Sequence, residues 1–286
     1  MTAGYIFAIL TGLFFGLQGT LGKILTRKVS PLIITWASFT FGFPCLFIYL
    51  LFDGFPAVEW QDFLTGTAVS FIINSFAWYL FYKALESSTL SRTMPFIAFT
   101  PVFLIPVAFI WLNELPDLKG IAGVLLIFAG GYGIHLEGKN IFSPVKSIFR
   151  SKGTRIMLLV SFLWSISATA EKIAVVSSSQ PFYGSVITFL LGALYFPIVF
   201  HKRSNRFSHI RANLPMLFLV GLVNGLTLLF QFTALKFMLV SYVIGFKRAG
   251  VIISVLLGIL LLDERDAVRK LISTALMVIG VFFIMS

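Results

Sequence analysis

The amino-acid sequence predicts an all-α integral membrane protein of ten transmembrane helices, built as two inverted five-helix repeats. Three observations carry this expectation. The chain is 58% hydrophobic and only 12% charged over 286 residues, whereas soluble domains run nearer about 45–50% apolar and about 25% charged; its mean hydropathy is +0.96. Apolar runs long enough to cross the hydrocarbon core, at about 20 residues per helix, recur along its whole length. The second half repeats the first in register.

The apolar runs fall at 4–22, 31–52, 63–83, 93–112, 118–136, 155–175, 182–200, 214–235, 240–262 and 268–285, separated by loop chemistry such as RKVSP, DGFPAVEWQD, SSSQP and HKRSNRFSHIRAN. The opening MTAGYIFAILTGLFFG lacks a basic n-region and a small-residue cleavage site, so it reads as a first membrane helix. Continuous rather than alternating apolarity argues against a β-barrel. In the fourth run Pro95, Pro101 and Pro106 invite a kink. Their register partners Gly245, Val251 and Leu256 are not prolines, so the two halves need not bend alike.

A shift of 150 residues superposes Asn74 on Asn224, Ala84 on Ala234, Ser91 on Ser241, Phe96 on Phe246, Glu114 on Glu264 and Gly130 on Gly280 without a gap. Near the front of each half, Lys23 meets Lys172 at a shift of 149. Five helices per half is an odd number, so the second half enters the membrane from the opposite side. The boundaries are 1–137 for the first repeat, 138–154 for a basic linker and 155–286 for the second repeat. Within the connector, Ser143-Pro144 starts a segment with Val145, Ile148 and Phe149 opposite Lys146, Arg150 and Lys152. Two readings stand for it: a short helix lying on an anionic leaflet, or a solvated basic linker.

The net charge of +11 would suggest nucleic acid on a soluble domain, but it sits in short loops and leaves no basic-aromatic surface to grip a duplex. Loops after the odd-numbered helices hold sixteen lysines and arginines, while the face bearing both termini holds Lys119 and Lys236. The positive-inside rule then places both termini outside. A lone Cys45 permits no intrachain disulfide and offers no metal or redox motif. His135, His201 and His209 lie at or beyond helix ends, and no nucleophile–base set or paired acids can be picked out, so no enzyme, cofactor or metal is expected. No P-loop occurs either, which argues against ATP-driven transport by this chain alone.

The strings WLNELPDLKGIAGVLLIFAGGYGI and LLDERDAVRKLISTALMVIGVFFI each run from an apolar helix through an acidic turn into a glycine-containing helix. They are preceded by ALESSTLSRTMPFIAFTPVF and ALKFMLVSYVIGFKRAGVI. Together these resemble the EamA-type repeat of the drug/metabolite transporter superfamily, across essentially the whole chain. Phe15-Gly16 with Lys23, and Trp164-Ser165 with Lys172, look like the family's first-helix pattern in each half. The resemblance implies a multi-pass protein of the plasma (inner) membrane, with ten helices around a central cavity that moves small metabolites by alternating access. It also implies cytoplasmic termini in many members, opposite to the charge count.

Ionisable residues within apolar runs are costly, about 2.5–3.5 kcal/mol each on insertion scales, and usually face a cavity or a partner. Lys247 and Arg248 in the ninth run are the foremost substrate candidates, as cationic contacts for a carboxylate or phosphate; the alternative is snorkelling to the interface. Asn74, Asn224, Gln18 and Gln231 can bind substrate or join helices. Trp78 and Tyr242, with Trp36 and Trp164, can line an aromatic cavity. Glu171 with Lys172 and Lys23 forms a coupling or ion-pair group, in which Glu171 either accepts a coupling proton or pairs with Lys23 or Arg248. Glu114 and Glu264 read as capping residues in tight turns. The glycine pairs Gly12/Gly16 and Gly221/Gly225 suit close helix contact. The function expected is secondary transport of a small polar or anionic metabolite, with the lipid bilayer as surroundings. The alternatives are an exporter of amino acids or drugs, with structural cations and binding aromatics, and a non-transporting membrane scaffold subunit.

Overall fold

A computed structural model describes residues 2–133, 151–201, 204–262, 275–277 and 279–284. The connector segment from Ser143 to Arg150, the second acidic turn with Glu264, and His135 lie outside the described residues. Among those described, all regular structure is helical. The helices are α1 (Thr2–Leu25), α2 (Pro31–Thr40), α3 (Phe43–Asp53), α4 (Trp60–Ser87), α5 (Leu90–Thr93), α6 (Thr100–Leu112), α7 (Leu118–Gly133), α8 (Lys152–Val176), α9 (Gln180–Phe200), α10 (Ser204–Ala212), α11 (Leu214–Leu235), α12 (Val240–Ala249) and α13 (Val251–Leu262). Among the described residues, seven helical stretches are long and apolar enough to cross a membrane, and three shorter ones, Phe96–Leu112, Leu118–Gly130 and Ala275–Ile284, are apolar.

Local sequence explains most of the ends. Pro31 and Pro181 occupy first-turn positions, where a missing N–H costs nothing. Ser151 and Ser179 cap α8 and α9 by accepting from Thr154 N and Phe182 N, both at 3.4 Å. Asn113 ends α6 in the left-handed region at φ 53°, a conformation its short polar side chain tolerates. Asp117 Oδ1 accepts from Gly120 N at 2.7 Å at the start of α7. The basic stretch read as a plain loop contains α10, with His209 and Arg211 in its last turn, where cations favour the negative end of the helix dipole.

Three apolar runs read as continuous are broken. The second divides into α2 and α3 around Phe41-Gly42. The fourth passes through a 3₁₀ turn, Met94–Phe99, before α6 begins at Thr100. The ninth divides after Ala249 into α12 and α13. The two halves need not bend alike, and they do so only in part. The fourth run carries a 3₁₀ turn over Met94–Phe99 where the ninth is α-helical. Yet a new helix starts at the same register position in both, at Thr100 beside Pro101 in one and after Gly250 in the other.

Packing follows the repeat register. α1 lies along α11, and α4 along α8; each pair is the 149/150-shifted image of the other. Side-chain bonds obey the same relation. Gln18 Nε2 donates to Asn224 Oδ1 (2.8 Å), and Asn74 Nδ2 donates to Ser167 Oγ (2.7 Å), Ser167 standing at the register position of Gln18. Lys23 Nζ donates to Ser88 O (2.5 Å), and Lys172 Nζ to Met238 O (2.8 Å). Both glycine pairs sit at helix crossings. A Cβ on Gly12 would come within 2.6 Å of Phe246 O, and one on Gly250 would collide with Gly12 O. On the other side of the molecule, a Cβ on Gly225 would meet Gly42 O at 2.7 Å. Large apolar side chains such as Ile48, Leu51, Ile72, Phe76 and Phe189 are exposed, while Gln18, Ser70, Asn74, Asn224 and Arg248 are buried. Only a hydrocarbon solvent favours that inverted distribution over so many helices.

Candidate functional site

The most polar part of the interior lies where α4, α8, α11 and α12 meet. Asn74 and Trp78 come from α4, Trp164, Ser167 and Glu171 from α8, Gln231 from α11, and Lys247 and Arg248 from α12. Spacing explains their convergence: positions three and four apart share a helix face, as do Asn74 and Trp78, or Trp164, Ser167 and Glu171. Lys247 and Arg248, although adjacent and therefore about 100° apart on the helix, are both at most 4% exposed. Neither snorkels.

Glu171 is surrounded by donors. Its Oε1 accepts from Asn74 Nδ2 (3.1 Å) and Ser167 Oγ (2.9 Å), and its Oε2 from Gln231 Nε2 (2.7 Å). Two groups fix the orientation of these amides. The Trp164 indole N–H, which can only donate, gives its proton to Asn74 Oδ1 at 3.1 Å, so Asn74 must turn its NH₂ to the carboxylate. Lys247 Nζ reaches Gln231 Oε1 at 2.5 Å, which turns the Gln231 NH₂ to the other carboxylate oxygen. Gln231 thus bridges Lys247 and Glu171.

Arg248 has no equivalent partner. Its Nε and Nη1 are buried and make no hydrogen bond among the described residues. The guanidinium lies 5.0 Å from the Phe15 ring centre and 5.1 Å from that of Trp164, and Lys247 Nζ lies over the same two rings at 5.0 and 5.7 Å. Trp78 packs edge-on against Trp164 at 4.9 Å. Cation–π contact of this kind is worth about 2 kcal/mol when desolvated, less than a charge-assisted pair would supply. The cavity among these side chains measures about 20 Å³, room for about one water.

The other predicted residues divide between two neighbourhoods. Gln18 and Asn224 form a second buried group with Tyr82 and Ser38. Gln18 Nε2 also donates to Tyr82 Oη (3.2 Å), Asn224 Nδ2 donates to Ser38 O (3.0 Å), and Gln18 Oε1 has no partner among the described residues. Trp78 and Tyr82 are in tilted ring contact at 6.2 Å and join this group to the first. Lys172, Lys23 and Tyr242 lie at helix ends instead. Lys172 pairs with Glu114, whose other carboxylate oxygen caps Val240 N at 2.9 Å, so Glu171 and Lys172 face different neighbours. Lys23 donates to Leu85 O at 2.6 Å as well as to Ser88 O. Tyr242 Oη donates to Asp117 Oδ1 at 2.9 Å. Together with the Gly120 N–H, this bond holds the Asp117 carboxyl below the usual carboxylate range, the backbone donor contributing most. Lys172, Met238 and Tyr242 line a cavity of about 380 Å³ at the membrane face that bears the N-terminus of α1. Trp36 borders an apolar groove with Phe43 and Phe196, outside both polar groups.

Sequence reasoning passed over Ser167, Tyr82, Ser38 and the cation-stacking role of Phe15. Ser167 was accessible from the repeat register, because it occupies the position of Gln18. Ser38 and Tyr82 carry no comparable signal: a serine on an apolar helix commonly bonds its own backbone, as Ser38 also does to Ile34 O, and Tyr82 is one ring among many in a chain that is 16% aromatic.

The EamA-like transporter family matches residues 2–136 and 151–286. An uncharacterized transporter of Methanothermobacter thermautotrophicus is 22% identical over 185 residues, which cover 59% of this chain; the chain spans about half, 53%, of that relative's length. A solved crystal structure superposes with a TM-score of 0.67 at 16% identity, covering 99% of this chain and 96% of its own, so the two share a fold. With both halves matched by the same family, this integral membrane chain belongs to the EamA-like transporter family.

Proposed function

We propose that the chain is a secondary transporter in which ten membrane helices, arranged as two inverted repeats (1–137 and 155–286, joined by a basic linker), move a small polar or anionic metabolite by alternating access. The observation that carries the anionic reading is Arg248, 1% exposed, whose Nε and Nη1 make no hydrogen bond among the described residues beside Asn74, Trp78, Glu171, Gln231 and Lys247. Buried donors of a charged group left unsatisfied are costly, and an anionic ligand would relieve that cost during turnover. The 149/150-related bonds of Gln18–Asn224 with Asn74–Ser167, and of Lys23 with Lys172, support the inverted repeat. In this reading the narrow central cavity is a closed state, and the larger cavity beside Lys172 is its vestibule. Lys172, Lys23 and Tyr242 hold helix ends and do not meet the central ligand. Glu171, enclosed by donors, acts as a counter-ion more readily than as a proton carrier. Lysine and arginine asymmetry orients both termini outside.

A second reading, export of amino acids or drugs with the two cations as structural elements, draws on Phe15 and Trp164 already stacking on both cations. Reconstituted flux separates the two. In proteoliposomes, Arg248→Gln should abolish uptake of the transported anion while folded yield stays near wild type. Unimpaired flux in that variant would remove Arg248 from the substrate site.

A further inference from the structure

We infer that the central site is built for a monovalent organic anion, a carboxylate on an apolar body, and selects it over dianions such as succinate or phosphate monoesters. This rests on the anion-site reading above. The inference follows from how the three charges of the pocket are connected. Glu171, Lys247 and Arg248 are the charged residues lining it. Glu171 and Lys247 are joined through a single amide, Gln231, with bonds of 2.7 and 2.5 Å, and they sum to zero. Passing a proton from Lys247 to Glu171 leaves that sum unchanged, so the balance does not depend on where the proton of the pair resides.

Arg248 is then the one charge left to a ligand, and two of its three nitrogens make no hydrogen bond among the described residues. Glu171 cannot turn to serve it without cost. Rotating the carboxylate away would strand the Asn74, Ser167 and Gln231 donors in a dry interior. A monoanion brings the site to neutrality. A dianion would carry in a second negative charge with no second cation left to balance it, because Lys247 is already matched by Glu171 through Gln231, and an uncompensated buried charge is expensive.

The surroundings of the guanidinium define the rest of the ligand. Phe15 and Trp164 meet edge to face at 6.1 Å and form an aromatic wall beside it, with Trp78 against Trp164. An apolar or aromatic body fits against such ring faces, whereas a second hydrated head group would lose its water there without replacement.

The test is thermal unfolding of the purified full-length protein in detergent, at constant ionic strength. The probes are sodium benzoate and isobutyrate as monoanions, and succinate and glycerol phosphate as dianions. The expected result is stabilisation by monocarboxylates at concentrations about tenfold below those needed for either dianion, a tenfold step being about 1.4 kcal/mol. Glu171→Gln should raise the pocket's net charge by one and shift the preference toward the dianions; Lys247→Gln should weaken both. A wild-type protein that prefers dianions overturns the monovalent assignment and leaves the anion site standing. Wild-type protein indifferent to all four anions overturns both readings. Because the order of anions on the wild type decides the matter alone, a variant that fails to fold does not block the test.

Discussion

Gln231 and Gln18 are both glutamines at most 2% exposed, each with two side-chain bonds from its amide, and replacing each by leucine should give very different outcomes. Gln231 Nε2 donates to a carboxylate and its Oε1 accepts from an ammonium. Hydrogen bonds to charged groups contribute about 1.5–3 kcal/mol apiece, so Gln231→Leu should cost about 3–6 kcal/mol and leave Glu171 and Lys247 unbridged. Gln18 Nε2 bonds the neutral Asn224 Oδ1 and Tyr82 Oη, and neutral bonds between membrane helices average about 0.6 kcal/mol. Its unpartnered Oε1 carries a desolvation penalty of about 1–3 kcal/mol that leucine removes. Leucine also leaves the buried Asn224 Oδ1 without this donor, a penalty of the same size that cancels the gain, so Gln18→Leu should cost only the two neutral bonds, about 1 kcal/mol. With about 2 °C of Tm per kcal/mol in a chain of this size, tryptophan-monitored melting in detergent should show a drop of about 6–12 °C for Gln231→Leu and about 2 °C or less for Gln18→Leu. Equal drops would refute the argument, because they would mean that burial of an amide, and not the charges it bridges, sets the cost.

The crossing of α1 on the junction of α12 and α13 predicts that Gly250→Ala lowers Tm, since its Cβ would collide with Gly12 O and overpacking costs about 1–3 kcal/mol; an unchanged Tm would show that the helices separate freely there. Asp117 predicts a pH effect of definite sign. Its carboxyl is held below the usual range by Gly120 N–H and Tyr242 Oη, so it stabilises the fold above the unfolded-state value of about 3.9, and that contribution disappears as pH falls through the lower folded-state value. Asp117→Asn should flatten this part of the acid limb of Tm against pH, and parallel curves for variant and wild type would contradict the assignment.

The architecture was more legible in the sequence than the site. Apolar length located the helical segments, and the 150-residue register located pairs that the structure joins in equivalent ways, such as Asn74 and Asn224. The breaks at Phe41-Gly42 and Ala249-Gly250 were hidden because the apolar runs continue through them, and hydropathy does not sense a change of helix axis. The polar residues were picked out by type, yet type does not say which faces meet. Gln231 and Lys247 stand sixteen positions apart and touch, whereas Glu171 and Lys172 are neighbours in sequence and serve different contacts. Tyr242 resembled a cavity residue by composition alone; its position near the start of α12 carries it to the rim, where Asp117 takes its hydroxyl proton.

Where α1 crosses the junction of α12 and α13, the carbonyl of Gly12 lies on Gly250 with no side chain between the two backbones, and a Cβ on Gly16 would meet Ile253 Cβ at 2.8 Å. Such a contact works as a gauge: with no side chain as a spacer, and with Ser254 Oγ donating to Gly16 O at 2.7 Å one turn on, the α12–α13 junction has a fixed depth against α1. Because Lys247 and Arg248 lie within one turn of Gly250, the same contact sets how deep the two cations stand in the interior.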